Sequence, residues 1–413
     1  MMHSWLAFVE SNTSGTGRLF ARAAAQKGFR PILLSDNPER YSYVSQDGVD
    51  TLTVDTQSES SLLHACRRLA ADAGLAGVTS SSEYFVSTAA RIARRLRLAG
   101  PSPVAVRECR DKFRQRRRLE RAGVPMPAFR RATSIKSAVH AAQELGVPVI
   151  VKPVSGSGSV GVKLCVRLDE VGAHAAQLLN QRQNERGTPV PRRILVESVA
   201  SGQEYSVETF DLKVIGITRK YLGPLPDFVE VGHDFPAQLS PDTAKAIESI
   251  AQQSLEALSL GWGAAHIELR LAESGPQIIE VNPRLAGGYI PELVRLARGI
   301  DLISETIVRV AGEQPELRSS CDDHTAIRFI LAPGDGLLVE VEGLDQAQSI
   351  PCVTEVKLYS PPGTELLRRG DFRDRIGHVI ARASTYEEAV KAADAAHKAV
   401  NLIIEPQEIF SNA

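Results

Sequence analysis

Trp5 to Glu10 is mostly apolar, Ser11 to Gly17 is a string of small residues, and Leu19 to Lys27 repeats its apolar positions at helical spacing. That order reads as a buried strand, a turn and an amphipathic helix. Further short strands are predicted at Pro31 to Ser35, Thr51 to Val54 and Gly77 to Ser80, with helical stretches between them. Strands alternating with helices imply a parallel sheet covered on both faces. Gly15-Thr16-Gly17 falls short of a dinucleotide fingerprint, because Phe20 stands where the third glycine or alanine belongs. The loop is read as a tight turn.

Gly100-Pro101-Ser102-Pro103 interrupts the pattern, since two prolines break a continuing helix and Ser102 can start the next. A helix is predicted after Pro103, then a turn from Gly123 to Pro127. Strand runs and Gly-rich loops follow to about residue 325. From Thr325 the chain reads as strands and a final helix, Tyr386 to Asn401.

The chain has 413 residues, enough for two or three packed domains. Its net charge of -1 provides no field for a polyanion, which argues against nucleic acid as a partner. Arg114, Arg116, Arg117 and Arg118 form the one basic cluster and are predicted to be a solvated helix face. Five cysteines without CxxC spacing suit neither a disulfide framework nor structural zinc, and point to a reducing, cytoplasmic setting. No apolar run is long enough for a membrane span, and export or anchoring is not expected.

Chemistry enters at Val149-Ile150-Val151, a strand that runs into Lys152-Pro153 and then into Val154-Ser155-Gly156-Ser157-Gly158-Ser159-Val160-Gly161. A lysine at a strand end before a Gly/Ser loop supplies a point charge and exposed backbone N–H donors, which together suit a phosphate. In a Walker A loop the lysine follows the glycines, so this is a different device. Taken alone, the loop reads equally well as a hairpin tip.

The acidic pattern downstream tips that balance. His266 to Arg270 and Gln277 to Asn282 both alternate as strands around a turn at Ala272 to Pro276, so antiparallel pairing can bring Glu268 opposite Glu280. Glu280 and Asn282 share one side of their strand, and Arg284 lies just beyond. Two carboxylates and an amide beside a phosphate loop suit Mg²⁺, which takes a few hard oxygen ligands from protein and the rest from phosphates and water. Ile278, Ile279 and Val281 make the strand too apolar for a solvated hairpin. Arg284 offers a planar fork for a carboxylate or acyl phosphate, and the glycines of Leu285-Ala286-Gly287-Gly288 leave space beside it.

Lys152-Pro153, the Ser/Gly loop, Glu197 with Glu204, Glu268, and Glu280-Val281-Asn282-Pro283-Arg284 together resemble the ATP-grasp superfamily in order and spacing. Gly232-His233-Asp234-Phe235-Pro236 and the run from Asn282 to Gly288 narrow the likeness to the dipeptide-forming L-amino acid ligases. It implies an α/β ATP-grasp fold: a Rossmann-like N-terminal domain (1–103), an ATP-grasp region (104–325) with a small α+β lid near 130–200, and a C-terminal subdomain (326–413) completing the module.

By the same likeness, Lys112 and Lys152 would contact the phosphates of ATP, with Ser155, Gly156, Ser157, Gly158 and Ser159 closing over them. Glu197 and Val199 would meet the adenine, chiefly through backbone groups, and Glu204 the ribose. Glu268 and Glu280, assisted by Asn282, would hold Mg²⁺, with Mn²⁺ as the alternative ion. Catalysis would fall to Arg284, His233 and Lys152, and the substrate site to Glu83, His233, Arg284, Gly287 and Gly288. The implied reaction joins two L-amino acids through an acyl phosphate, releasing ADP and phosphate, in a cytoplasmic homodimer without nucleic-acid or membrane partners.

Two other readings compete. Carboxylation, as in biotin carboxylase, draws on a loose likeness over His378 to Ala389 but loses ground at Leu285-Ala286-Gly287-Gly288, where that family has a glutamine and a glutamate. A non-catalytic nucleotide-binding module predicts loss of a metal carboxylate or of the loop lysine, and both are present.

Overall fold

The computed structural model describes residues 4–13, 15–156, 158–184 and 187–406. Ser157 of the phosphate loop therefore lies outside the described residues.

Four parallel strands open the chain, in the order Asp50–Thr53, Arg30–Ser35, Trp5–Val9, Leu75–Thr79. Every residue of Trp5–Val9 is buried, as an unbroken apolar run in a doubly covered sheet should be. Helices Thr16–Gln26, Glu59–Asp72 and Val86–Arg95 accompany the sheet. Phe20 and Ala24 of the first of these helices share one core with Ile307 and Val310 of helix Leu302–Val310, so the opening sheet is docked on the rest of the molecule.

A second, antiparallel sheet runs Phe129–Ala132, Ile194–Ser198, Val149–Pro153, Lys163–Cys165. Helices Ile135–Leu145 and Leu168–Asn180 cover it through Ala138, Ala142, Val171 and Ala175. Lys152 lies one residue from the end of a central strand of this sheet.

The largest sheet has eight antiparallel strands, in the order Gly275–Asn282, Ala264–Ala272, Gln203–Phe210, Lys213–Leu222, Glu230–Phe235, His324–Leu331, Arg375–Ala383, Val353–Leu358. It crosses the expected division at residue 325, because Gly232 and His233 pair with Arg328 and Ile327. Helix Pro241–Leu258 packs Ile247, Ile250 and Leu255 on Val207, Ile267, Leu269 and Val281 of one face. Period-2 alternation sends His266, Glu268 and Arg270 to the other face. The final helix is Tyr386–Ala399, shorter than predicted, because Asn401 opens a strand, Asn401–Glu405, in a separate small sheet.

The single helix expected after Pro103 is two, Pro103–Cys109 and Lys112–Arg121. Asp111 at the break caps the second by accepting from the Arg114 N–H at 3.1 Å. The expectation of a solvated basic face also fails at one position: Arg116 is 1% exposed. This helix lies along Gly275–Asn282, an edge strand whose free backbone groups need cover. Gln115 answers both polar groups of Val281, accepting its N–H at 3.0 Å and donating to its carbonyl at 2.7 Å.

Candidate active site

Register decides the centre of the site. Glu268 and Glu280 stand directly opposite each other across paired strands, and Asn282 is opposite His266. Immediately beyond Glu280 the ladder slips, leaving Ile279 as the extra residue of a bulge. Arg116 uses the result, donating to the carbonyls of Ile279 at 2.6 Å and Ile278 at 3.3 Å. A buried arginine thus braces the strand that presents Glu280.

At the phosphate end, Lys152 Nζ lies 2.5 Å from Glu197 Oε2, and Arg116 Nε lies 2.6 Å from Glu197 Oε1. Burial works against the Glu197 carboxylate, but the two cations overcome it and bring its pKa down to about 2. The side chain of Glu197 therefore anchors Lys152. Its backbone is paired on both sides, with Phe129 and Ile150. Val199, just past the strand end, is 39% exposed.

Lys112 is held at the same place from a different helix. Its N–H donates to the Val154 carbonyl at 2.8 Å, tying the helix start to the phosphate loop. Its Nζ reaches Glu280 Oε1 at 2.5 Å and the Gly156 carbonyl at 3.4 Å. The loop itself is folded down: Ser159 Oγ donates to the Phe228 carbonyl at 3.2 Å. Gly158, at φ 63°, presses so close to the Phe372 ring that a Cβ there would sit 2.5 Å from a ring carbon.

The glutamates of this region converge on a lysine that the sequence did not single out. Lys220, 1% exposed, points its ammonium into Glu204, Glu230 and Glu268, at 3.1 Å from the first, 2.6 Å from the second and in contact with the third. Carboxylate oxygens of those three glutamates lie within 4.8 Å of one another, a spacing that also suits a metal ion. Lys220 meets that charge here; although burial opposes it, the three carboxylates raise its pKa well above normal. Glu204, expected at a ribose, has its other oxygen on Arg270 at 3.2 Å. His266 bonds Glu208 at 3.0 Å and Glu268 at 3.3 Å; these carboxylates outweigh burial and lift it to about 9, so it is a cation at neutral pH.

At the substrate end, Arg284 grips Glu83 through Nε at 2.9 Å and through Nη2, while Arg110 holds the other oxygen of the same carboxylate. Glu83 thus comes from the loop after the opening sheet to meet Arg284, just beyond the strand that carries Glu280. It does not cap a helix: the nearest begins at Val86. His233 is fully buried, and neither ring nitrogen has a hydrogen-bond partner. Burial drives it down to about 3, so the imidazole is neutral. A Cβ at Gly288 would fall 2.5 Å from His233 Nε2, whereas one at Gly287 would meet nothing within 4 Å. Gly288 is thus packed against His233, while Gly287 beside it faces open space.

The sequence reading missed Gln115, Arg116, Lys220, Glu230, Arg110 and Arg375. Lys220 alone left a signal, a lysine inside a strand-like stretch. The others are recruited from helices and strands far apart in sequence.

An ATP-grasp domain model matches residues 145–292, and a model of the L-amino acid ligase C-terminal domain 2 matches residues 328–405. Uncharacterized protein y4rH of Sinorhizobium fredii is 38% identical over 405 residues, which cover 98% of this chain and 84% of that one. Carnosine synthase 1 of Gallus gallus is 28% identical over 320 residues, 72% of this chain, and the match spans only 34% of that protein. The crystal structure of the L-amino acid ligase from Bacillus licheniformis superposes with a TM-score of 0.80 at 20% identity, covering 98% of this chain and all of that one, which establishes the shared fold. Among the described residues no helix is long and apolar enough to cross a membrane. The chain belongs to the ATP-grasp superfamily of ATP-dependent ligases, in the L-amino acid ligase group, whose members join carbon to nitrogen.

Proposed function

We propose that the protein couples the carboxylate of one L-amino acid to the amine of another, through an acyl phosphate formed at the expense of ATP. The observation that carries this reading is the Glu83–Arg284 pair, which places a carboxylate and a guanidinium next to the phosphate and metal residues. An amino acid has the complementary charges: its ammonium suits Glu83 and its carboxylate suits Arg284.

Lys112, Lys152 and the N–H groups of the loop from Ser155 to Gly161 bind the phosphates of ATP, and Val199 and its neighbours meet the base. Glu268, Glu280 and Asn282 fit Mg²⁺, since the register opposes two hard oxygen donors that now rest on Lys220 and Lys112. When bound, Mg²⁺ would neutralise phosphate oxygens during transfer. Arg284 holds the donor carboxylate while one of its oxygens bonds to the γ-phosphorus and ADP leaves. The acceptor nitrogen then bonds to the carbonyl carbon and phosphate leaves. An acceptor arriving as an ammonium gives up two protons, one carried off on the phosphate and one released to solvent. His233, neutral at working pH, donates a hydrogen bond to the carbonyl oxygen as negative charge gathers there, and does not serve as a base. The loop clasped between Phe228 and Phe372 keeps water from the acyl phosphate.

Incubation with Mg-ATP, pooled amino acids and hydroxylamine tests the reading. Amino acid-dependent ADP release with amino acyl hydroxamate, and a dipeptide mass when hydroxylamine is omitted, is the expected result. ADP release with bicarbonate alone would favour carboxylation instead.

A further inference from the structure

Phe329 organises a second charged pair beside Gly288. The guanidinium of Arg375 lies over its ring, 4.1 Å from the centroid, and His233 meets its edge with centroids 5.5 Å apart. Arg375 bonds Glu230 twice, from Nε to the carbonyl at 3.1 Å and from Nη2 to Oε2. That same Oε2 lies 3.9 Å from His233 Nε2 and 3.7 Å from the position a Gly288 Cβ would take. Arg375 comes from the strand next to the one carrying Phe329, and its side chain is 10% exposed.

Two observations mark this as a site for a ligand. The His233 imidazole has two buried nitrogens without partners, a state that costs free energy until something fills it. Gly288, at φ 59°, brings its backbone so close to that imidazole that a Cβ would fall 2.5 Å from Nε2, a close approach beside His233 and Glu230 that tolerates no side chain. The arrangement also repeats the Glu83–Arg284 pair: a glutamate bonded to an arginine, each able to exchange its protein partner for one end of a zwitterion. A ligase for two amino acids has two ammonium groups and two carboxylates to accommodate. Glu83 and Arg284 serve one substrate only.

Resting on the ligase reading above, we propose that Arg375 binds the α-carboxylate of the acceptor amino acid and Glu230 receives its ammonium, with the acceptor nitrogen directed at the carbonyl beside His233. Arg375 then acts as a specificity residue: acceptors must carry a free carboxylate. Amino acid amides and simple amines are poor acceptors for the same reason.

The test compares two acceptors for one activated donor: an amino acid, and hydroxylamine, which has no carboxylate. In wild type, kcat/KM for the acid should exceed that for the corresponding amino acid amide. Arg375→Met should lower the ratio of kcat/KM with the acid to kcat/KM with hydroxylamine by about thirtyfold or more, mainly through the acceptor KM. Arg375→Lys, which keeps the charge and loses the fork, should recover part of it. An unchanged ratio in Arg375→Met, or a wild type that uses amide and acid equally well, overturns the proposal. Hydroxamate formation by the wild type reports separately on the ligase reading, and calorimetric titration of an amino acid against its amide, in wild type and Arg375→Met, tests the carboxylate contact without turnover. Equal binding of both by the wild type would also overturn it.

Discussion

Lys112 Nζ rests 2.5 Å from Glu280 Oε1, across 168 residues of sequence. The lysine proposed to bind phosphate is thus parked on a carboxylate proposed to hold Mg²⁺, and Lys220 covers Glu268 in the same way. Both contacts keep negative charge balanced before nucleotide arrives, and the incoming ions must exchange partners with them.

Removing the metal carboxylates tests that exchange. Glu280→Gln and Glu268→Gln should each lower kcat/KM for ATP by about a hundredfold or more and demand higher Mg²⁺ for half-maximal ADP release. Measured Mg²⁺ dependence equal to wild type would remove these residues from the metal site.

Acid should weaken the fold through Glu197. Its folded-state pKa, about 2, lies below that of the unfolded chain, so its contribution is complete above the unfolded value and drains away as pH falls from about 5 towards 2. The shift corresponds to roughly 3 kcal/mol. Glu197→Gln should therefore lower the urea midpoint at pH 7 and flatten its decline between pH 5 and pH 3; parallel declines in the two proteins would contradict the assignment.

The two glycines should behave differently. Gly288→Ala forces a side chain into a left-handed backbone and against His233 Nε2, and should abolish most turnover. Gly287→Leu enters open space, so thermal stability should hold while substrate preference moves to smaller side chains. Competition assays with alanine and a bulky amino acid would show the shift, and no change in preference would place Gly287 outside the substrate site.

Phe372 should govern how well the acyl phosphate is protected. Phe372→Ala removes the ring against Gly158 and should raise the ratio of ADP released to peptide formed, as water captures the intermediate. Tight stoichiometry in the variant would show that the Phe372 contact does not seal the loop.

What the chain alone determined is the part governed by short spacing. Alternation around the turn at residues 272–276 was enough to set Glu268 against Glu280, and the order of Lys152, loop, carboxylates and Arg284 was enough to name the superfamily. Those features lie within single strands and hairpins, where period 2 and turn chemistry act locally. The tertiary structure alone decided the rest. A bulge at Ile279 and a helix laid on an edge strand turned Arg116 from a presumed surface residue into a buried brace. Glu197 became the anchor of Lys152 because two strands of one sheet meet there. Arg375 reached Glu230 across 145 residues because their strands flank a common neighbour. Such pairs depend on which elements become neighbours, and that choice belongs to the packing of sheets and helices as a whole.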